Sequence, residues 1–182
     1  MLPGVLKRTV QGTLNGNLSS PAFLLNILKA REGHLLTELA LTLNLKKKEG
    51  KSLFEAWMFE ESDAIQSLSQ AYADRVVFEA SLKVLNTCDP LLKPILEKLF
   101  LLAACEWIAQ DLGWFVMNKV LTKNMGKKLP QLIRLLCSEL APQAIALVDS
   151  FGIPAHMRHA PIAGDWEKYN ETDNFGELIP EL

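Results

Sequence analysis

The chain has 182 residues, enough for one domain of ordinary size with a real core. Apolar residues make up 49% and charged residues 22%, a balance that excludes a disordered polymer. The net charge is −2, which argues against nucleic acid as the main partner, because duplex binding needs a basic face.

Residues 1–19 hold Gly4, Gly12, Gly16, Asn15 and Asn17 without apolar periodicity, and read as a flexible lead-in. Ser20-Pro21 opens a first helix, over about 20–45. Serine caps free amide groups, and proline suits the first turn, where its missing N–H costs nothing. Lys46, Lys47 and Lys48 suit the negative end of that helix, and Glu49-Gly50 stops it. Ser52-Leu53-Phe54-Glu55 has the spacing of a capping box and starts a second helix over about 53–86, with a break signalled near Ser62. Asp89-Pro90 repeats the start signal for a third, over about 90–119. Thr122 caps a fourth, over about 123–151. Pro130 and Pro142 lie inside it and predict a kink or a split. Gly152, in a left-handed conformation, and Pro154 end that helix.

Four long helical patterns with short links predict an all-α, antiparallel up-and-down bundle. The tail over 152–182 is acidic. From Gly164 onward it has six acids against Lys168. It also carries Trp166, Tyr169 and Phe175, and aromatics are uncommon in disordered tails, so it is expected to be ordered by packing.

Few residues carry a chemical signal. Cys88, Cys105 and Cys137 are far apart and odd in number, which reads as buried free thiols in a reducing compartment. Asn17 and Asn170 match the glycosylation sequon by chance. His34, His156 and His159 form no metal-ligand pattern. Nucleophile-elbow and phosphate-loop patterns are absent from the sequence. The most apolar stretch, Ile95 to Leu121, is interrupted by charges, so no membrane span is expected. Glu106, Asp111 and Asp149 stand in apolar runs, where a buried acid would mark a site. Solvent exposure, or pairing with a lysine, is the commoner fate of such acids. Trp107, Trp114 and Phe115 read as core rather than as a ligand groove. The lysines of 46–51 read as a solvated helix end rather than a phosphate site.

Longer strings say more. Ser69-Gln70-Ala71-Tyr72-Ala73-Asp74-Arg75-Val76-Val77-Phe78-Glu79 resembles the second helix of the C-terminal domain of acyl-CoA oxidases. Asp111-Leu112-Gly113-Trp114-Phe115 resembles the end of its third helix. Residues 133–137 lead into 142–154, which close as Ala146-Leu147-Val148-Asp149-Ser150-Phe151, the most specific match. Residues 160–166 and 169–177 resemble the closing segment of that family. The resemblance runs in order from about Pro21 to Leu178.

In the complete enzymes so resembled, a glutamate takes the α-proton of an acyl-CoA and a hydride passes to FAD. Oxygen then reoxidises the flavin, giving trans-2-enoyl-CoA and hydrogen peroxide in fatty-acid β-oxidation. The resemblance places FAD, substrate and base in a part that precedes these helices. No catalytic residue, FAD contact or metal ligand therefore transfers to this chain, and none of these groups is expected to bind it alone. The implied role is a helical module that packs on the flavin-bearing portion and contributes to a homodimer. Trp166, Tyr169, Asn174 and Phe175 are the expected docking residues of the tail. Many peroxisomal members end in a Ser-Lys-Leu-type address. The ending Pro180-Glu181-Leu182 is a poor version of it, and without import by another route the expected compartment is the cytoplasm. Two other readings stand beside this one: an independent helical interaction protein that has lost the oxidase context, and a small enzyme with its own site around Glu106 or Asp111.

Overall fold

A computed structural model describes residue 14, residues 16–158 and residues 160–171. Every regular element among them is helical. The described residues fall into two compact units, divided after Ala141.

In the first unit, α1 spans Pro21–Lys48. The Phe23 amide donates to Ser20 Oγ at 3.4 Å, and Pro21 occupies the first turn, as the sequence signal predicts. Its far end is closed by Gly50, which takes φ 86°. The Gly50 amide donates to the Lys47 carbonyl and the Lys51 amide to the Lys46 carbonyl, each at 3.2 Å, so two end carbonyls are satisfied.

Ser52 then caps α2, the single turn Leu53–Glu55, through the full reciprocal capping box with Glu55. The chain widens into a π turn over Ala56–Glu60, with the Glu61 amide donating back to the Ala56 carbonyl at 2.9 Å. Glu61 leaves helical geometry (φ −119°, ψ 17°), and α3 runs from Ser62 to Leu85. The single helix expected over 53–86 is thus three pieces, and the break falls beside Ser62.

α4 covers Lys93–Gln110 and begins later than the Asp89-Pro90 signal implies. Asp89 Oδ1 accepts from the Leu91 amide at 2.8 Å, a local turn that competes with helix entry, and Pro94 takes the first-turn position instead. Asp111 adopts φ −130°, ψ 37° and separates α4 from α5, Leu112–Met117. α6 runs Lys123–Leu140, capped by Thr122 Oγ1 on the Met125 amide at 3.1 Å. It continues through Pro130; the interruption comes at Pro142, in a 3-10 turn over Ala141–Gln143.

Three ion pairs set the direction of α3 against α1: Lys29–Glu79, Glu32–Arg75 and, toward the π turn, Lys46–Glu60. The first partner advances along the chain as the second retreats, so α1 and α3 are antiparallel. Lys98 near the start of α4 meets Glu139 near the end of α6 at 2.8 Å. Gly126, near the start of α6, faces Leu112 and Val116 of α5.

The core between these helices is built from Leu24, Ile27 and Leu28 of α1, Phe78 of α3, Ile108 of α4 and Phe115 of α5, each at most 1% exposed. Burial of each contributes about 1.5–3 kcal/mol. The end of the expected lead-in belongs to this core. Leu18 is buried, Leu14 packs against the cluster, and the Leu14 amide donates to the Val120 carbonyl at 3.2 Å. The apolar character of Leu14 and Leu18 outweighs the glycine-rich composition around them.

The second unit contains α7 (Ala144–Asp149), two 3-10 turns at Ala155–Met157 and Pro161–Ala163, and α8 (Trp166–Glu171). Gly152 takes φ 63°, as the helix-stop signal predicts. Ile145, Val148, Phe151, Ile162 and Trp166 are all more than half exposed.

One expectation about membranes needs correction. The stretch Lys123–Asp149 is long and apolar enough to cross a bilayer by length and composition. The part of it in α6 turns Leu129, Leu136 and Leu140 into the first unit, and Glu139 is paired with Lys98. Of the apolar part of that stretch, however, only 11% is buried.

Candidate functional site

The acids singled out by sequence context have separate fates. Glu106 is exposed on α4, and Asp149 is exposed on α7. Asp111 instead receives a hydrogen bond from Arg31 Nη2 at 2.7 Å. The Arg31 side chain is 11% exposed, although it belongs to a residue type that ordinarily reaches water. Burying a guanidinium costs several kcal/mol unless it is paired, and Asp111 supplies that pairing. Two aromatic rings support it. The guanidinium carbon lies 5.4 Å from the centre of Phe115 and 5.8 Å from that of Trp114. Trp114 meets Phe115 and His34 edge-on, each at 5.3 Å. His34 Nε2 in turn lies 3.1 Å from Glu38 Oε1. Arg31, Asp111, Trp114 and Phe115 form a structural clamp between α1 and the α4–α5 junction. The partner of Asp111 is an arginine rather than the lysine expected. Trp114 and Phe115 sit on α5 while Trp107 sits on α4, so the three do not share one helix.

A second network joins α1 to α3. Arg75 donates from Nε and Nη2 to the two Glu32 oxygens at 2.7 and 3.0 Å, and from Nη1 to Glu79 at 3.1 Å. Its guanidinium also lies 5.0 Å from the Tyr72 ring centre. The bond to Glu32 raises the proton affinity of Arg75 further, and the bond from Arg75 holds the Glu79 carboxyl below its ordinary value. Asp74, beside it, is 5% exposed and accepts from Gln70 Nε2 at 2.6 Å. Sequence reasoning missed Arg31 and Asp74. Gln70, four residues before Asp74, is a helical-spacing signal that could have identified the latter.

The third network closes the corner between α1 and the π turn. Lys46 Nζ meets Glu60 at 2.6 Å and Glu61 at 3.9 Å, and Lys51 also bonds Glu60. The hydrogen bond from Lys46 is the main cause that lowers the Glu60 pKa, and the same contact raises that of Lys46. Lys46 and Lys51 are therefore committed to a carboxylate of their own chain.

The thiols differ from one another. Cys105 is buried, and desolvation, with Glu106 adding to it, pushes its pKa up to about 12. Cys88 is half-buried. Cys137 is exposed, because α6 turns Leu136 and Leu140 inward and leaves Cys137 on the wet face, contrary to the expectation of three buried thiols. His156 is exposed, and His159 lies outside the described residues. Among the described residues no cluster of metal-ligating side chains occurs. Of the expected docking residues, Trp166 is 51% exposed and Tyr169 lies on the same helix, α8. Asn174 and Phe175 lie outside the described residues.

What the first unit does present is apolar surface. Leu53, Phe54, Met58 and Phe59 are each more than half exposed, and Trp57 is 43% exposed. Phe54 and Phe59 meet edge-to-face at 5.7 Å.

The comparisons with known proteins agree with one another. A family model described as acyl-CoA oxidase matches residues 20–165. Peroxisomal acyl-coenzyme A oxidase 2 of Arabidopsis thaliana is 27% identical over 158 residues, covering 85% of this chain and 22% of that protein. An acyl-coenzyme A oxidase of Kluyveromyces lactis is 34% identical over 125 residues, covering 65% of this chain and 16% of that protein. The crystal structure of acyl-CoA oxidase 3 from Yarrowia lipolytica superposes with a TM-score of 0.76 at 21% identity, covering 97% of this chain and 27% of that one, which shows a shared fold. The chain spans about a fifth of the length of the curated relatives it matches. With most of its length matched by that family model, the chain belongs to the acyl-CoA oxidase family.

Proposed function

We propose that this chain is the helical module of an FAD-dependent acyl-CoA oxidase of fatty-acid β-oxidation, with α1, α3, α4 and α6 as the four staves of an up-and-down bundle. It packs on a flavin-bearing portion and does not catalyse alone. The complete enzyme would convert acyl-CoA and oxygen to trans-2-enoyl-CoA and hydrogen peroxide. The names of the relatives support a peroxisomal setting.

The observation that carries this reading is the family match over residues 20–165 in a chain that spans about a fifth of its relatives. The groove beside the start of α6 does not fit a flavin. The groove lined by Leu18, Asn124, Met125, Lys128, Gln131 and Leu135 is about 520 Å³, and it has no aromatic ring to cover an isoalloxazine. No step of the flavin chemistry is therefore assigned to these residues. The tail fits the role through Trp166, with Tyr169, Asn174 and Phe175 proposed to dock beside it.

Complementation tests this reading. The Kluyveromyces lactis oxidase, deleted for the stretch that matches this chain, would be co-expressed with the chain. The expected result is a yellow complex that releases peroxide with acyl-CoA, while the chain alone does neither. A soluble chain that never joins the truncated oxidase, or that turns over acyl-CoA unaided, overturns the proposal.

A further inference from the structure

Between Asp111 and Glu139 the chain carries no acid, yet it carries Lys119, Lys123, Lys127, Lys128 and Arg134. All of these are exposed, and none forms an ion pair among the described residues. Lys123, Lys127 and Arg134 fall within roughly 40° of one another around α6, at about 100° per residue. Lys128 lies off that stripe, where α6 borders the groove of about 520 Å³ together with Leu18 and Ser19. That volume is within the ~300–1,000 Å³ of ordinary ligand sites. The groove has a fixed wall and unengaged donors. Leu18 is buried, the Leu14 amide is tied to the Val120 carbonyl, and Asn17 Oδ1 accepts from the Ser19 amide at 3.0 Å. The side chains of Ser19, Asn124, Lys128 and Gln131 line the groove and make no hydrogen bond among the described residues.

We infer that this groove binds a phosphate monoester that carries an aliphatic arm. Charge selects an anion. The lining holds Lys128 and no carboxylate, and the basic stripe beside it adds a positive field that raises the local concentration of anions. The donors select phosphate among anions. Ammonium, amide and hydroxyl groups together outnumber the two oxygens of a carboxylate and suit the three terminal oxygens of a phosphate monoester. Met125, Leu132 and Leu135 give the arm an apolar wall. An aliphatic arm is favoured over a nucleoside, because no aromatic ring lines the groove for a base to stack on. The inference is independent of the proposed function, since it concerns a solute or a lipid headgroup and not the flavin-bearing portion.

The test is calorimetric titration of the whole 182-residue chain with hexyl phosphate at low salt. The expected result is one saturable site with Kd below about 1 mM, at least roughly tenfold tighter than for inorganic phosphate or hexanol. Lys128→Gln should weaken hexyl phosphate by about tenfold or more, as loss of a charge-assisted bond does. Leu135→Ser should weaken hexyl phosphate and leave inorganic phosphate unchanged. Both side chains are exposed, so the helical circular dichroism should stay as it is. Lys48→Gln, at the far end of α1, should change nothing. Absence of a saturable site overturns the inference, as does equal binding of inorganic phosphate or an equal loss at Lys48 and Lys128. Flotation with phosphatidylcholine vesicles, with and without phosphatidic acid, distinguishes the two sources of the phosphate. Capture by the phosphatidic acid vesicles that Lys128→Gln abolishes identifies a lipid headgroup. Binding of hexyl phosphate without capture identifies a free solute.

Discussion

Asp111 and Arg31 are 80 positions apart in sequence, yet their carboxylate and guanidinium meet at 2.7 Å. The bond coincides with the point where α4 gives way to α5. Asparagine at 111 would keep the shape but remove the charge, leaving a largely buried guanidinium beside two rings. Because Asp111 is itself 42% exposed, water recovers part of the loss. The expected destabilisation for Asp111→Asn is about 2 kcal/mol, less than for a fully buried pair. In a chain of this size that lowers the melting temperature by roughly 4–8 °C. Arg31→Met with Asp111→Asn should recover most of it, since a buried pair replaced by apolar volume is often neutral. Thermal melts of the three variants check both statements.

Gly16 sits against Phe23. A Cβ added there would lie 2.3 Å from Phe23 Cδ2, a separation no real contact tolerates. Phe23 is 8% exposed and anchors the first turn of α1, so it cannot swing aside into water without opening the core. Gly16→Ala should cost about 1–3 kcal/mol by overpacking. Phe23→Leu in the same chain should relieve part of that cost. Urea unfolding of the single and double variants gives the coupling.

The difference between legible and illegible features follows from range. Ser20, Ser52 and Thr122 could be read because a cap is a contact among residues three apart. The all-helical class followed from apolar periodicity, which is also local. Asp111 could not be read, since its partner is 80 residues away and nothing near it in sequence says that an arginine will be buried. Pro130 and Pro142 look alike in sequence, yet α6 passes through the first and stops at the second. Buried side chains on both sides of Pro130, Leu129 and Leu136 among them, hold the helix through the lost hydrogen bond. Around Pro142, residues 141–146 are all exposed and offer no such packing. Cys137 was misread because Leu136, next to it, is the residue that faces inward. The exposed patch at 53–59 was hidden by its composition, which looks like core until the structure leaves it uncovered.

Lys119 is the one described non-glycine residue with positive φ, at 58°. It closes α5, with the Val120 and Leu121 amides both donating to the Phe115 carbonyl, at 2.9 and 3.1 Å. A β-carbon in the left-handed region costs of order 1 kcal/mol, and glycine pays none of it in the folded state. Part of the gain is lost to the greater freedom of glycine in the unfolded chain. Lys119→Gly should therefore stabilise by about 0.5 kcal/mol, and Lys119→Val should destabilise by more than that. Opposite shifts in urea midpoint at constant slope are the expected readout.

Cys105 links the core to alkaline pH. Its thiol is pushed up to about 12 from an ordinary value of 9.0, because burial disfavours the thiolate and Glu106 adds to the effect. In the unfolded chain the same thiol ionises near its ordinary value. Between those values the unfolded state holds fewer protons than the folded state, so stability falls as pH rises. The contribution is fully present below pH 9 and is lost at up to about 1.4 kcal/mol per unit above it. Cys105→Ala would remove this alkaline slope while lowering stability at neutral pH through the cavity it leaves. The reactivity of the three thiols should separate in the same way. At pH 8 a disulfide reagent should label exposed Cys137 first and half-buried Cys88 more slowly, and reach Cys105 only on unfolding. Labelling of Cys105 at the rate of Cys137 in the folded protein would show that the interior around Ala104 and Ile108 is open to water.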